Sequence, residues 1–378
     1  MNRKVIYISG TRADFGLMAL TLQTMKADLR LDVGVLATGM HLDDRYGGTW
    51  RDIEAAGLPI VSRVLVDVAT RSRESMSQGL GDSIVGMTRE LARLKPDAVL
   101  LLGDRGEMLA AALVCLHLGI PVFHIHGGER SGTIDEPIRH CVSRLATWHL
   151  VATSGSRERL IRMGERPDSI VVCGAPGLDG FVELAAPDSH TLLRRFGLNL
   201  NSAFILVVFH PVVQQAEKAA EQTQSLADAL IALGLPVLWI APNSDAGSGA
   251  IADKLADFAI SIRDLSIQSH LSREDFSTAI KHCVVMVGNS SSGILEAASF
   301  GTPVVNVGDR QMHRERNANV YDCAYGTQDI SEALRRAISH GIYPAENLYG
   351  RGVARQIITE TLATASLDGA LLAKVNYY

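Results

Sequence analysis

Short runs of apolar residues without polar alternation recur along the chain: Val5 to Ser9, Leu31 to Ala37, Ala98 to Leu102, Val122 to Ile125, Phe204 to Phe209, Val237 to Ala241, Val284 to Val287 and Val304 to Val307. A strand with no polar face is buried on both sides, which belongs to a parallel sheet covered by helices. The intervening stretches supply the helices, with apolar residues at helical spacing over Leu17–Lys26, Leu80–Leu94 and Met108–Leu118. The same spacing returns over Ala216–Leu233, Ile251–Phe258, Arg273–Ile280 and Gly293–Phe300. His149–Ala152, Ser156–Met163 and Ser169–Cys173 read as strand, helix and strand, and Ala259–Ile262 as a further strand. The pattern predicts an α/β chain of two doubly wound domains facing a central cleft, with ligands beyond the carboxyl ends of the strands. Gly174-Ala175-Pro176-Gly177 marks the boundary, giving domains of 1–174 and 175–352. A last helix at about Val353–Thr364 makes residues 353–378 a candidate to cross back to the first domain.

A chain of 378 residues, 47% hydrophobic and 20% charged, has enough apolar material for two cores. Its formal net charge of −5 gives no basic field for a nucleic-acid backbone. Basic residues precede the first apolar run, but that run is too short for a signal peptide, and no stretch approaches a membrane span. The five cysteines, Cys115, Cys141, Cys173, Cys283 and Cys323, are odd in number and widely spaced, which suits reduced thiols and a cytoplasmic location.

Polar residues directly after strands face the cleft in this architecture. They include Gly10-Thr11-Arg12-Ala13-Asp14, Gly103-Asp104-Arg105, His210-Pro211, Pro242-Asn243-Ser244-Asp245 and Gly288-Asn289-Ser290-Ser291-Ser292-Gly293. The last of these precedes a helix, so backbone N–H groups, hydroxyls and the positive helix end converge as a phosphate would require; ordinary N-capping is the alternative. The first loop lacks G-x-G-x-x-G, which argues against a dinucleotide enzyme, and Arg12 can supply a cation there. Asp14 reads as a turn or N-cap aspartate, and Met108 as core. Asp104 and Arg105 stand at a strand end.

The densest chemical cluster is Pro121 to His140. Gly127 and Gly128 allow a tight turn, and Thr133 with Glu136 forms a capping-box pattern that opens a helix. His124 and His126 are two apart, hence on one face if the strand persists, and Glu129, Asp135 and His140 lie nearby. A metal site is one reading, although no metal-ligand spacing is present. The other makes His124 a core histidine and leaves His126 and the carboxylates for acid/base work. The charged run Arg310 to Arg316, with Glu315, is either a solvated face or part of the cleft.

In series, Gly10–Asp14, Gly103–Arg105, Gly127–Glu129, Gly132–Asp135 and Ile138–His140 resemble the hydrolysing UDP-N-acetylglucosamine 2-epimerases. In the second half His210-Pro211, Pro242-Asn243, Asp245–Ser248, Gly288–Ser291, Gly293, Glu296, Gly308, Arg310-Gln311 and Arg314-Glu315 continue the resemblance. It implies two Rossmann-like domains of B-type glycosyltransferase architecture, a UDP-sugar partner, no metal or other cofactor, and a homodimer or homotetramer. The implied reaction eliminates UDP to a 2-acetamidoglucal, then hydrates it to free N-acetylmannosamine. Departure of UDP gives C1 oxocarbenium character, which acidifies the C2 proton.

By the same resemblance, Arg12, Ser290 and Ser291 hold the diphosphate, and His210 donates toward it as charge develops. Glu296 accepts from ribose hydroxyls, Asn243 and Asp245 face nucleotide or sugar, and Arg105, Gly293, Arg310 and Arg314 complete the substrate-binding set. Asp104 and Asp135 match the catalytic carboxylates. The match breaks at His124-Ile125-His126-Gly127-Gly128-Glu129, where His126 replaces a glutamate of the sialic-acid enzymes. Either His126 or Glu129 takes that role, or the substrate differs. UDP-N-acetylglucosamine is expected first, with a UDP-2,4-diacetamido-2,4,6-trideoxy sugar of legionaminic-acid synthesis as the alternative. A non-hydrolysing epimerase, a glycosyltransferase and a non-catalytic nucleotide-sugar-binding protein are the rivals.

Overall fold

A computed structural model describes residues 2–67, 73–131, 135–199, 203–242, 247–259, 264–368 and 374–377. Two compact units emerge, one of Met1–Asp179 with Tyr349–Tyr378 and one of Gly180–Leu348. The first begins with β1 (Arg3–Ser9), α1 (Arg12–Ala27), β2 (Leu31–Thr38), α2 (Trp50–Ala55), β3 (Ile60–Val64) and α3 (Arg73–Leu94). It continues through β4 (Ala98–Leu102), α4 (Gly106–Leu118), β5 (Val122–Ile125), α5 (Asp135–Leu145), β6 (Trp148–Val151), α6 (Ser154–Arg162) and β7 (Ile170–Val172). The seven strands are parallel in the order β3-β2-β1-β4-β5-β6-β7.

β1 shows why its residues need no polar alternation. Val5 and Tyr7 face one core with Met18 and Leu22 of α1, whereas Ile6 and Ile8 face another with Met87 and Leu91 of α3 and Met108 of α4. All four strand residues are fully buried. At the carboxyl end Thr11 and Asp14 form a capping box on α1, with the Asp14 carboxylate accepting from Gly10 N at 3.0 Å and Thr11 N at 2.8 Å. Asp14 is therefore occupied by the turn.

The second unit contains α7 (His190–Arg195), β8 (Ile205–Val208), α8 (Ala219–Leu233), β9 (Val237–Ile240), α9 (Ser248–Phe258), β10 (Leu265–Gln268) and α10 (Arg273–His282). It closes with β11 (Val285–Gly288), α11 (Ser291–Leu295), β12 (Val304–Val307), β13 (Val320–Cys323) and α12 (Thr327–His340). Its parallel sheet runs β10-β9-β8-β11-β12-β13. The chain then returns to the first unit as α13 (Ala354–Thr364), whose Ala354, Ile358 and Leu362 join the core beneath α1. Asp179 fixes the start of α13, accepting from Ala354 N at 3.0 Å. The break expected after residue 174 sits just ahead of a 3-10 turn, Pro176–Leu178, that stays with the first unit.

Several local expectations need correction. Ala259 is the C-cap of α9, residues 260–263 lie outside the described set, and the strand is Leu265–Gln268. β10 is an edge strand, so Ser266 points inward and Ile267 outward, and the apolar run beside it misled. The single helix expected over Gly293–Phe300 is α11 followed by a 3-10 turn, Ala297–Phe300, and the start of the one expected at Ala216 is 3-10. All five cysteines are free. Among the described residues no helix is long and apolar enough to cross a membrane.

Gly288, at the end of β11, has φ +141°, and a Cβ there would lie 2.0 Å from the Val208 carbonyl oxygen. Backbone on β8 has nowhere to move, so Gly288→Ala should destabilise the second unit by about 3 kcal/mol or more in urea titration. An unchanged midpoint would contradict this close approach.

Candidate active site

In the first unit β4 is followed by Gly103, with φ +79°, and Asp104, before Arg105 at the N-cap position of α4. β5 delivers His124, whose Nε2 meets the Gly103 carbonyl at 2.7 Å and whose Nδ1 meets Ser143 Oγ of α5 at 3.1 Å. Burial pushes its pKa down to about 3, so it is a neutral core histidine. The strand stops at Ile125, and His126 has φ +63°, a left-handed conformation that a non-glycine residue rarely holds. His124 and His126 consequently do not share a face. Close packing enforces the turn: a Cβ on Gly127 would lie 2.8 Å from Ser143 Oγ, and one on Gly128 2.5 Å from the Ser156 carbonyl.

The strained turn brings His126 Nδ1 to 2.5 Å from Glu129 Oε1, with both side chains largely buried. An ionised carboxylate can only accept, so Nδ1 carries the proton, and in the neutral imidazole the lone pair is then on Nε2. Behind this pair lies Arg139 of α5, 2% exposed. Its guanidinium donates to the Asp104 carboxylate, to the Glu129 carbonyl at 2.9 Å and to Ser131 Oγ at 3.4 Å. One buried cation thus ties the β4 loop, the β5 loop and α5 together. Arg139 was absent from the sequence-derived set; its signal was its place in the recognised Ile138-Arg139-His140 block, four residues after Asp135 and so on the same side of a helix.

Asp135 is the first residue of α5 and is exposed. Residues 132–134, including the threonine of the expected capping box, lie outside the described set; Glu136 accepts from Ser131 N at 2.8 Å. His140 Nε2 stands 3.6 Å from Glu136 Oε1. Among the described residues no group of three His, Cys, Asp or Glu side chains could hold a metal. Arg12 opens α1 with its Nε 3.4 Å from the Asp52 carboxylate, and Arg105 lies 3.3 Å from Glu107. Both arginines are exposed.

In the second unit the loop after β8 is fixed by Asn289, a fully buried residue. Its side chain accepts from His210 N at 2.8 Å and donates to the His210 carbonyl at 2.8 Å. Its own carbonyl accepts from Arg310 Nη1 at 3.0 Å and Gln311 Nε2 at 3.1 Å. Asn289 therefore gathers His210 and Arg310 around the end of β11, a role that its place after a strand-ending glycine suggested only generally. Ser290 caps α11, its Oγ accepting from Ser292 N at 3.4 Å and Ser292 Oγ at 2.8 Å, and Ser291 is half-buried beside it. Capping thus accounts for Ser290, and Ser291 begins the helix.

Gly293 is buried, and a Cβ on it would lie 2.9 Å from Val304 Cγ1, so its smallness lets α11 lie against β12. Glu296 is the C-cap of α11; it is half-buried, and desolvation pushes its carboxyl up to about 7 against the opposing pull of Arg273. Arg314 donates its backbone N–H to the Gln311 carbonyl at 3.1 Å. Asn243 and Asp245 lie outside the described residues.

A family model for UDP-N-acetylglucosamine 2-epimerase matches residues 23–363. The chain is 42% identical to a UDP-N,N'-diacetylbacillosamine 2-epimerase (hydrolyzing) of Legionella pneumophila over 378 residues, covering the whole of both chains. It is 32% identical to a UDP-N-acetylglucosamine 2-epimerase of Neisseria meningitidis serogroup B over 353 residues, 93% of this chain and 92% of that one. Among solved structures, the Neisseria meningitidis UDP-GlcNAc 2-epimerase bound to UDP-GlcNAc superposes with a TM-score of 0.79 at 22% identity, over 95% of this chain and 99% of that one. That last likeness is one of fold, two parallel-sheet α/β units. The chain belongs to the UDP-N-acetylglucosamine 2-epimerase family, and within it to the hydrolysing type.

Proposed function

We propose that the chain hydrolyses and epimerises UDP-N,N'-diacetylbacillosamine, the 2,4-diacetamido-2,4,6-trideoxy sugar nucleotide. The observation that carries this choice is end-to-end similarity, at 42% identity, to a protein named for that substrate, against 32% for one named for UDP-N-acetylglucosamine. UDP-N-acetylglucosamine, the first expectation from sequence, becomes the second reading. A free 2,4-diacetamido sugar suits legionaminic-acid synthesis in the cytoplasm, and a homodimer or homotetramer remains part of the proposal.

In the proposed chemistry the C1–O bond breaks with its electron pair going to UDP, the C2 proton passes to a base, and a C1=C2 bond forms. Water then adds its hydroxyl to C1, and C2 receives a proton on the opposite face. His126 Nε2, with its Nδ1 held by Glu129, is the candidate base. Asp104, fixed by Arg139, offers a negative charge beside the developing cation, and Asp135 is the candidate for returning the proton. Arg12, Ser290, Ser291, His210, Arg310 and Arg314 are assigned to the UDP group, with Arg105 assisting. Glu296 is assigned to the ribose. Asn243 and Asp245 stay assigned to nucleotide or sugar on resemblance alone. Gly293 leaves the proposed contact set, because packing accounts for it.

Incubation with each UDP sugar, following UDP and free sugar by NMR, should give a kcat/KM at least about 10-fold higher for the diacetamido substrate. The reverse order would reject the substrate assignment, and two intact nucleotides would reject the reaction. Asp104→Asn should lower kcat by about 100-fold or more with UDP affinity preserved; near-normal turnover removes Asp104 from the chemistry. Glu296 gives a pH signature. Its carboxyl is raised to about 7, so the accepting carboxylate is largely absent at about pH 6 and present at about pH 8. Uridine, which carries no phosphate, should bind several-fold more tightly at the higher pH, up to about 10-fold. Glu296→Gln should flatten that dependence; a variant as pH-sensitive as the parent would exclude Glu296 from ribose binding.

A further inference from the structure

The proposed mechanism leaves unused a buried charged cluster at the far end of α5. Glu165, just after α6 and 1% exposed, accepts from Arg144 of α5, from His149 Nε2 of β6 at 3.0 Å and from Lys374 Nζ at 2.6 Å. The same Lys374 ammonium donates to the Ser143 carbonyl at 3.0 Å and the Ala146 carbonyl at 2.7 Å. These belong to the last turn of α5 and the residue beyond it, where helix carbonyls lack intrahelical partners and the helix dipole favours a cation. Asn376 accepts from Arg144, and Tyr377 N donates to the Gly164 carbonyl at 2.9 Å. Residues at the carboxyl end of the chain thus close onto one end of a helix.

The other end of that helix is the acid/base face. α5 has 11 residues and is roughly 16 Å long, starting at Asp135 and carrying Arg139. We propose that Lys374 and Glu165 are positioning residues: they anchor the carboxyl-terminal end of α5 so that Arg139 and Asp135 stand in register with Asp104 and the His126–Glu129 pair. This rests on the catalytic reading above. A displacement of about 1 Å at reacting groups can cost on the order of 100-fold in rate, so a loosened anchor would act on kcat while leaving nucleotide affinity alone.

The charges make the anchor sensitive to alkali. Burial, opposed by Glu165, pushes the Lys374 ammonium down to about 8. Burial would raise Glu165, but His149 and Lys374 hold it below its ordinary value. Burial lowers His149, which stays neutral, and Arg144 stays charged. Among these described groups, Lys374 is the one whose charge changes as pH rises through about 8. Neutral Lys374 loses its attraction for both Glu165 and the helix end.

The test compares Lys374→Met, Lys374→Arg and Glu165→Gln in the full chain with the parent. Lys374→Met should lower kcat per folded molecule about 10-fold while KM and uridine affinity stay within about 2-fold, and Lys374→Arg should restore most of the loss. The parent should lose kcat as pH rises through about 8, and Lys374→Arg, whose charge persists, should not. Independently of any activity, amide hydrogen exchange along α5 should quicken in Lys374→Met and Glu165→Gln. Unchanged kcat and unchanged α5 exchange, or a kcat loss that only follows the folded fraction, would overturn the anchor. A parent inert toward both UDP sugars would overturn the catalytic reading and with it the positioning role, whereas quickened exchange in that case would leave a purely structural clamp.

Discussion

The buried Arg139 guanidinium is the interaction on which the candidate acid/base face of the first unit depends. From α5 it reaches partners in two other segments, Asp104 beyond β4 and Glu129 and Ser131 beyond β5. A guanidinium keeps its charge at any working pH, and burying it is tolerable because a carboxylate, a carbonyl oxygen and a hydroxyl accept from it. Removing Asp104 would leave this buried guanidinium without its carboxylate partner. The same contact therefore serves stability and, in the proposed reaction, chemistry, and a substitution at either residue has to be read with both in mind.

The turn at His126 is the second constraint. A left-handed histidine costs of order 1–3 kcal/mol, and the cost persists only where the surroundings over-determine the conformation. Here Gly127 and Gly128 are pressed against Ser143 and Ser156, and Glu129 captures the imidazole. The second unit uses a different device, in which one buried amide, Asn289, holds His210 and Arg310 around the end of β11. Both devices sit where parallel strands release their last residues, the place where polar groups escape the apolar sheet.

The interior of the fold was legible because interior strands are mostly apolar on both faces, with isolated buried polar residues such as His124 and Asn306 too few to break the runs. Ala98–Leu102, Val122–Ile125 and Val304–Val307 stand where the apolar runs put them. The strands missed or misplaced are β3, β10 and β13, all at sheet edges, where Ser62 and Arg63, Ser266, or Tyr321 and Asp322 interrupt the run. For the site, polarity after strand ends pointed to Asp104 and His210. It could not reveal the Arg139–Asp104 pair, which joins residues 35 apart in sequence, nor that His126 leaves the strand one residue early. Family resemblance gave the reaction type, and the proposal for the sugar rests on comparison with whole relatives.

The most direct measurement of whether this network moves the C2 proton is single-turnover reaction of Arg139→Lys in deuterated water, with UDP release and deuterium at C2 of the freed sugar followed together and uridine affinity measured alongside. If Arg139 organises Asp104 and the His126–Glu129 pair, both rates should fall about 100-fold or more while uridine affinity stays within about 2-fold. UDP release and C2 deuteration at parental rates would contradict it.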